Sequence, residues 1–189
     1  MRKIIIQVCA ISLDGVIQTD GTEFETYLEQ IPEDHRYDQW IADSVGGADV
    51  LFVGRNTYLG MADYFSSAES DPMVDALNHV PKIVLSNTLT SADWGPVTVA
   101  SGGLSEELDR VRRGGDGYAL VQGGVTLLQA IAAQDAADEY WLAVCPYVAG
   151  SGPQLFANDG SGLNLEVRSV EPLDNGIVAM CYRRLAGAH

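Results

Sequence analysis

The chain is short of basic residues. It has 11 Lys and Arg against 26 Asp and Glu among 189 residues, and its formal net charge is −15. Proteins that bind nucleic acids or anionic membranes neutralise phosphates with clusters of Lys and Arg, so we expect neither partner. An anionic ligand must instead be held at a local site, by backbone amides at a helix N-terminus and one or two well-placed Arg residues.

Cysteine and histidine are scarce as well, with three residues of each. Cys9, Cys145 and Cys181 lie far apart in apolar stretches, and the histidines form no ligand pattern with them. Zinc sites and disulfide frameworks need closer spacing. We therefore predict no metal site and three buried, reduced thiols.

Long hydrophobic runs are missing too. The first apolar run, residues 4–11, is interrupted by Gln7 and is followed by no small-residue cleavage site. It is too short for a transmembrane helix and does not resemble a signal peptide. We predict a soluble, cytoplasmic protein whose residues 1–189 form one domain, because 47% hydrophobic residues are enough for a substantial core.

The remaining pattern alternates strand and helix signals. Helical spacing at Leu104 and Leu108, and again from Val125 onward, predicts helices between strands, which favours a largely parallel sheet covered by helices. The last strand signals lack a crossover helix, so those strands should be antiparallel at one edge. The acidic residues 19–34 show little periodicity, and we predict a mobile loop there. The predicted strands span residues 3–11, 49–53, 82–86, 97–100, 118–122, 140–144, 163–170 and 177–183.

Three strand-to-helix or strand-to-loop junctions carry the chemistry. In residues 51–58 a strand runs into Gly54 and a helical segment, and in residues 118–126 a strand runs into Gly123 and another helix. In residues 82–88 a strand leads into hydroxyl and amide side chains. A parallel sheet would bring all three junctions to its carboxyl edge, where ligands of open α/β sheets bind.

These residue types suit phosphate. Glycine lets the backbone approach a pyrophosphate, and the first helical turn offers free amides and a favourable dipole. Thr57 and Thr126 add hydroxyl donors, and Arg55 adds a guanidinium fork. Taken singly, the glycine pair could be a tight turn and Arg55 a structural ion-pair residue. Their joint occurrence at three strand ends favours a dinucleotide clamp.

In this order, the motifs resemble the dihydrofolate reductase-like family. They are residues 12–17 after the first strand, residues 54–58, residues 82–88, Gly123-Gly124, and Pro146 with residues 150–152. The resemblance spans nearly the whole chain. It is strongest to the reductase domain of bifunctional riboflavin deaminase-reductases and to the stand-alone relatives of that domain. It implies a three-layer α/β fold with a mixed, mostly parallel sheet and antiparallel C-terminal strands, and it also implies a homodimer.

The resemblance further implies an NADPH-dependent reductase of a small heterocyclic or phosphorylated metabolite, such as a 5-amino-6-(5-phosphoribosylamino)uracil-like compound. Residues matched to the family motifs fall into four groups. They are Gly54, Arg55 and Thr57 at the adenosine phosphates; Ser86, Asn87 and Thr88 at the 2′-phosphate; Gly123, Gly124, Val125, Thr126 and Leu127 at the pyrophosphate and ribose; and Cys9, Ala10, Val16 and Ile17, within a stretch that reaches back to Asp14, at the nicotinamide.

The chain departs from dihydrofolate reductases in residues 18–25, which lack the Trp, the Leu-Pro pair and the pterin-binding acidic residue. We therefore do not expect dihydrofolate reduction. The chain also has few basic residues for a substrate phosphate. Arg36 either reaches the cleft or is a solvated residue at a helix start.

Hydride transfer depends mainly on positioning and water exclusion, so a strongly marked catalytic residue is not required. Asp14 is the candidate catalytic residue, as a proton relay or as the organiser of its loop, and an ordinary Asp-Gly turn is the alternative. Two other functions remain open: a non-catalytic nicotinamide-nucleotide-binding module and a flavin-binding protein.

Overall fold

Eight strands form one sheet in the computed structural model, which describes residues 1–17, 21–156 and 162–185. All eight lie within two residues of the predicted segments at either end. The strands are β1 (Lys3–Ser12), β2 (Val50–Gly54), β3 (Lys82–Leu85), β4 (Val97–Ala100), β5 (Tyr118–Val121), β6 (Glu139–Cys145), β7 (Leu165–Pro172) and β8 (Val178–Arg184).

The sheet is parallel over most of its width and antiparallel at one edge. Its strand order is β4-β3-β2-β5-β1-β6-β8-β7. The pairs from β4 to β6 are parallel, whereas β8 runs antiparallel to both β6 and β7. The predicted fold class is confirmed: the strands from β4 to β6 are parallel, and the last two strands, which no described helix joins, are antiparallel to each other.

Six helices accompany the strands in the described residues. The spacing of apolar residues predicted α5 and α6, and the strand-to-glycine junction predicted a helical segment at α3; all three helices are present. No helix of the described chain is long and apolar enough to cross a lipid bilayer. The helices are α1 (Glu23–Glu29), α2 (His35–Gly46), α3 (Arg55–Phe65), α4 (Pro72–His79), α5 (Leu104–Arg113) and α6 (Val125–Ala133).

The loop predicted for residues 19–34 is wrong over α1. Thr22 caps this helix by accepting a hydrogen bond from the Glu25 amide, and Phe24 is buried on its inner face. A seven-residue helix spans only two turns, so its apolar spacing is too short to stand out among acidic neighbours. Residues 18–20, which this prediction partly covers, lie outside the described residues.

The helices cover both faces of the sheet. On one face Ile4 and Ile6 of β1 pack with Leu108 of α5 and Leu128 of α6. On the other face Ile5 packs with residues of α2, α3 and α4. Burying one such Ile or Leu side chain contributes about 2 kcal/mol, so the two layers hold the central strands rigidly beneath the loops that follow them.

All three cysteines are free thiols. The prediction that all are buried is wrong for two of them, because only Cys145 is fully buried while Cys9 and Cys181 are half-buried. Strand periodicity alone does not show how much of a strand its neighbours cover.

Candidate active site at the carboxyl edge of the sheet

The three predicted junctions lie at the same edge of the sheet. Gly54, at the end of β2, pairs with Leu85 at the end of β3, and Phe52 of β2 pairs with Val121 at the end of β5. Because these strands are parallel, the turns that begin at Arg55, Ser86 and Gly123 emerge side by side. The convergence expected from the sequence is therefore present.

The first and third turns touch each other. The Gly124 amide donates a hydrogen bond to Thr57 Oγ1 at 2.9 Å, so the start of α3 is tied to the start of α6. Leu127 lies over both glycines: a Cβ atom on Gly54 would lie 3.8 Å from its Cδ2, and one on Gly123 would lie 3.1 Å from it. A larger residue at Gly123 would crowd Leu127, which explains why glycine stands there.

The helices that begin at this edge lack side-chain caps. Glycines cap α3 and α6 without any side-chain hydrogen bond. In contrast, Thr22, Asp34 and Asp71 cap the other helices α1, α2 and α4 with side-chain oxygens. Uncapped first-turn amides, together with the helix dipole, attract an anion.

The sequence analysis missed a further element of this edge. β4 also ends here and leads through Gly102 and Gly103 into α5, whose N-cap, Gly103, again has no side-chain hydrogen bond. The Gly102 amide is already used, since it donates to the buried Glu107 at 3.2 Å. The strand–glycine–helix pattern that identified the other junctions is present here too and could have identified this one.

Arg55 stands at the exposed first turn of α3 without a carboxylate partner. All 11 Lys and Arg residues belong to the described chain, and eight of them form ion pairs there. The others are Arg55, Lys82 and Arg113. Among the described residues, the guanidinium of Arg55 hydrogen-bonds only to its neighbour Asn56, from Nη1 to Oδ1 at 3.1 Å. The structural ion-pair role considered for Arg55 is thus absent among the described residues.

Ser86 organises the middle turn. Its hydroxyl oxygen accepts hydrogen bonds from the amides of Thr88, at 3.2 Å, and Leu89, at 3.0 Å. Asn87 and Thr88 are exposed at the edge. The turn is held from within, and its outer side chains face the solvent beside Arg55's helix.

The geometry of Asp14 favours the organising role. Its carboxylate accepts hydrogen bonds from the Ser12 hydroxyl at 2.6 Å and from the amides of Ala149 and Gly150 at 3.0 and 2.8 Å. These bonds, led by that from Ser12, lower the pKa of Asp14 to about 2. An acid of this strength is ionised at neutral pH and is not a proton donor, so its carboxylate clamps two loops together.

The end of β1 supplies the remaining candidate residues. The Tyr37 hydroxyl donates to the carbonyl oxygen of Cys9 at 2.6 Å, and burial raises the pKa of the Cys9 thiol to about 12. Val16 and Ile17 are buried, and Ile17 pairs with Ile11 of the strand. The thiol therefore stays protonated, and the buried pair forms a wall beside the strand end.

A cavity of about 230 Å³ opens next to Ala10 at this strand end. Asp38, in the first turn of α2, lines it, and burial, followed by the negative charge of Asp71, raises the pKa of this carboxyl group. The sequence analysis missed Asp38 because it sought an acidic residue in residues 18–25. The signal was Asp34, whose position as an N-cap sets the helix start four residues before Asp38. The cavity is lined by Ala10, Leu28, Ile31, Pro32, Glu33, Asp34, Tyr37, Asp38, Asn175 and Ile177.

Arg36 does not line this cavity. Its guanidinium contacts Glu171 at 2.8 Å and Asp174 at 3.4 Å, as expected for a partly solvated residue at a helix start. A larger cavity of about 350 Å³ does include Arg36, with Trp141 and with Tyr118 from the amino end of β5. Since it opens away from the carboxyl edge, we assign the chemistry to the smaller cavity.

The sheet order, the parallel centre and the antiparallel edge define the class of protein. The structure superposes on dihydrofolate reductase from Enterococcus faecalis with a TM-score of 0.63, at 17% identity, over 97% of each chain. The fold is therefore dihydrofolate reductase-like.

The family follows from the sequence match. The family model described as RibD C-terminal domain matches residues 2–179, and the chain belongs to that family. A putative riboflavin biosynthesis protein from Shewanella sp. PV-4 is similar with a TM-score of 0.73 and 25% identity, over 97% of this chain and 99% of that one. The uncharacterized protein YyaP of Bacillus subtilis is 23% identical over 186 residues, which are 96% of this chain and 94% of the relative.

Proposed function

We propose that the protein is a cytoplasmic, NADPH-dependent reductase of a small heterocyclic metabolite. Membership of the RibD C-terminal domain family supports an oxidoreductase of the riboflavin-pathway type. The observation that carries the choice of cofactor is the carboxyl edge itself, where α3 and α6 begin without side-chain caps beside Arg55, which pairs with no carboxylate of the described residues. NADPH, when bound, supplies the hydride.

Each turn of this edge has a proposed task. Gly54, Arg55 and Thr57 bind the adenosine phosphates, where the guanidinium of Arg55 contacts the 2′-phosphate and residues 86–88 lie beside it. Residues 123–127 bind the pyrophosphate and ribose through the first amides of α6. The close contact between the two helix starts supports this assignment, because one diphosphate can receive hydrogen bonds from both.

The end of β1 positions the reacting rings. Cys9 and Ala10 flank the nicotinamide, with Val16 and Ile17 as the wall that excludes water. Asp38 faces the substrate and accepts a hydrogen bond from a ring N–H, or holds a proton near the reacting atom, since burial keeps its pKa raised. Asp14 keeps the two loops beside the strand in place.

The test of the cofactor assignment is the cofactor selectivity of Arg55→Ala. Losing one charged contact should weaken NADPH binding by about 1 to 3 kcal/mol and leave NADH binding nearly unchanged. Arg113→Ala is the matched control, because Arg113 is also exposed, has no ion pair among the described residues and is the last residue of α5. Calorimetry that finds equal losses for both cofactors removes Arg55 from the 2′-phosphate, and absence of any nicotinamide-nucleotide binding ends the proposal.

A non-catalytic nucleotide-binding module is the second candidate. The shortage of cations around the cavity favours it, because a reductase of a phosphorylated metabolite needs a basic substrate site. NADPH binding without oxidation across pterin, pyrimidine and quinone panels would establish it. A flavin-binding protein would instead be yellow when purified.

We also propose that the protein is a homodimer. β7 is the outer strand of the sheet, and its side chains Val167 and Val170 are 56% and 52% exposed. A second copy of the chain would cover these valines and pair the free strand edge. Light scattering should give twice the mass of the chain, and Val167→Lys should shift it to the monomer; a wild-type monomer at micromolar concentration contradicts the proposal.

A further inference from the structure

The cavity beside Ala10 has two kinds of wall. Leu28, Ile31 and Ile177 supply apolar surface, as expected for the flat faces of a ring. The polar part consists largely of carboxylates, namely Glu33, Asp34 and Asp38. Apart from Tyr37 and Asn175, the polar residues that a ligand meets in this cavity are therefore carboxylates.

These carboxylates differ in what they can still bind. Asp34 is fully engaged, because it caps α2 through the amides of Arg36 and Tyr37 and also accepts from the Asn175 amide at 3.0 Å. Asp38 receives no hydrogen bond from any residue that the structure describes, and it is half-buried at the cavity wall. Glu33 stands exposed at the mouth. Asp38 is thus available to the ligand, and Glu33 guards the entrance.

No Lys or Arg side chain balances these carboxylates at the cavity wall. None of the 11 Lys and Arg residues, all of which are described, lines the cavity. The nearest in sequence, Arg36, does not line the cavity and is held in ion pairs with Glu171 and Asp174. A phosphate dianion here would lose its hydration without gaining a cation and would be repelled by the carboxylates.

We propose that this cavity accepts an unphosphorylated heterocycle, neutral or cationic, and rejects the phosphate ester of the same compound. The proposal rests on the proposed reductase function and narrows its substrate class. It sets the chain apart from an enzyme for a phosphoribosylamino-uracil: the phosphate of such a substrate must be absent before the reaction. A phosphatase-type step therefore precedes this one, or the substrate never carries a phosphate.

The test compares one compound with and without its phosphate. NADPH binding is first measured by calorimetry, so that failure of the proposed function is seen separately. NADPH oxidation is then followed with 5-amino-6-(5-phosphoribosylamino)uracil and with the same compound after phosphatase treatment. We expect kcat/KM to be at least tenfold higher for the dephosphorylated form. Equal or better use of the phosphate ester, or oxidation with neither form despite NADPH binding, overturns the proposal.

A charge reversal at the mouth provides the second arm. Glu33→Lys should raise kcat/KM for the phosphate ester and so reduce, several-fold, the preference for the dephosphorylated compound. Glu29→Lys is the matched control, since it makes the same change in net charge at an exposed position at the end of α1 outside the cavity. If both variants change the preference equally, the overall charge of the protein and not this cavity sets the selectivity, and the proposal fails.

Discussion

Lys82 carries a buried ammonium group that forms no ion pair with a carboxylate of the described residues. The residue is 1% exposed at the start of β3. Its Nζ donates to the Val80 carbonyl at 3.0 Å and lies 4.2 Å from the centre of the Trp94 ring. Burial lowers its pKa from 10.5 to about 8, because the charged form loses its hydration. Replacing Lys82 by Met should remove the free-energy cost of burying this charge.

The size and sign of the effect follow from proton linkage. A pKa lowered from 10.5 to about 8 corresponds to about 3 kcal/mol, and the contact with Trp94 returns about 1 to 2 kcal/mol of it. Lys82→Met should therefore be at least as stable as the wild type at pH 7. Between pH 8 and 10.5 the unfolded chain binds more protons at this lysine than the folded one, so the wild type gains stability as pH rises. From pH 7 to 9.5 the free energy of unfolding of the wild type should rise by about 2 kcal/mol relative to that of Lys82→Met.

Urea unfolding followed by tryptophan fluorescence at several pH values measures this difference. Tyrosine and cysteine ionisation is common to both proteins and cancels in the comparison. Lys3→Met is the control, because the Lys3 side chain is 58% exposed and paired with Glu139, and its difference from the wild type should hardly change in this range. A Lys82→Met difference that stays constant from pH 7 to 9.5 would refute the reasoning.

Three further predictions concern the loops around the site. Asp14→Asn should lower the melting temperature at pH 7. The difference in melting temperature from the wild type should shrink as pH falls from about 4 to about 2, because the wild-type carboxylate loses its charge there. Calorimetric melting curves test this. Gly152→Ala should destabilise by about 1 to 3 kcal/mol, because φ is +132° and the new Cβ would lie 2.6 Å from Val16 Cγ1. Gly150→Ala, with φ of +72° and open space, should cost only about 1 kcal/mol in urea unfolding, and equal losses would contradict the packing argument. Thr57→Val should lose about 1 kcal/mol of stability and weaken NADPH binding, while Thr57→Ser, which keeps the acceptor for the α6 amide, should restore both in unfolding and calorimetry.

The sequence predicted the sheet well because buried parallel strands leave a strong signal. β2 and β5 contain the short apolar runs Val-Leu-Phe-Val and Tyr-Ala-Leu-Val, with a glycine directly after the first run and two residues after the second, and such runs have few alternatives in an α/β chain. The absence of a crossover helix after β6 fixed the direction of the last strands. Local pattern was sufficient wherever a strand is covered on both faces.

Helices α1, α2 and α4 were harder to predict because side-chain caps define them more than apolar spacing does. Asp34 and Asp71 each begin a helix by accepting hydrogen bonds from its first amides. In a chain this rich in acidic residues, a capping Asp looks like any solvated one. The same difficulty hid Asp38, whose importance depends on a cavity that only the tertiary structure forms.

For the candidate site, the sequence identified the turns but not the state of their side chains. From the sequence alone, Arg55 could form either an ion pair or a ligand contact. Only the full set of ion pairs shows that no described carboxylate pairs with it. The sequence also allowed two roles for Asp14, as a proton relay or as the organiser of its loop. The hydrogen bonds from the amides of Ala149 and Gly150, 135 and 136 residues away, favour the role of loop organiser.

The Asp14 clamp joins two segments that are distant in sequence. Besides the carboxylate bonds, Leu13 donates to the Tyr147 carbonyl, Ile17 to that of Pro153, and Leu155 to that of Gly15. Residues 13–17 and 147–155 must consequently separate in one cooperative step, since opening either segment breaks the hydrogen bonds that join both. The amide hydrogens of both segments should exchange with deuterium at a similar rate. A ligand that binds against one segment should also slow the local opening of the other.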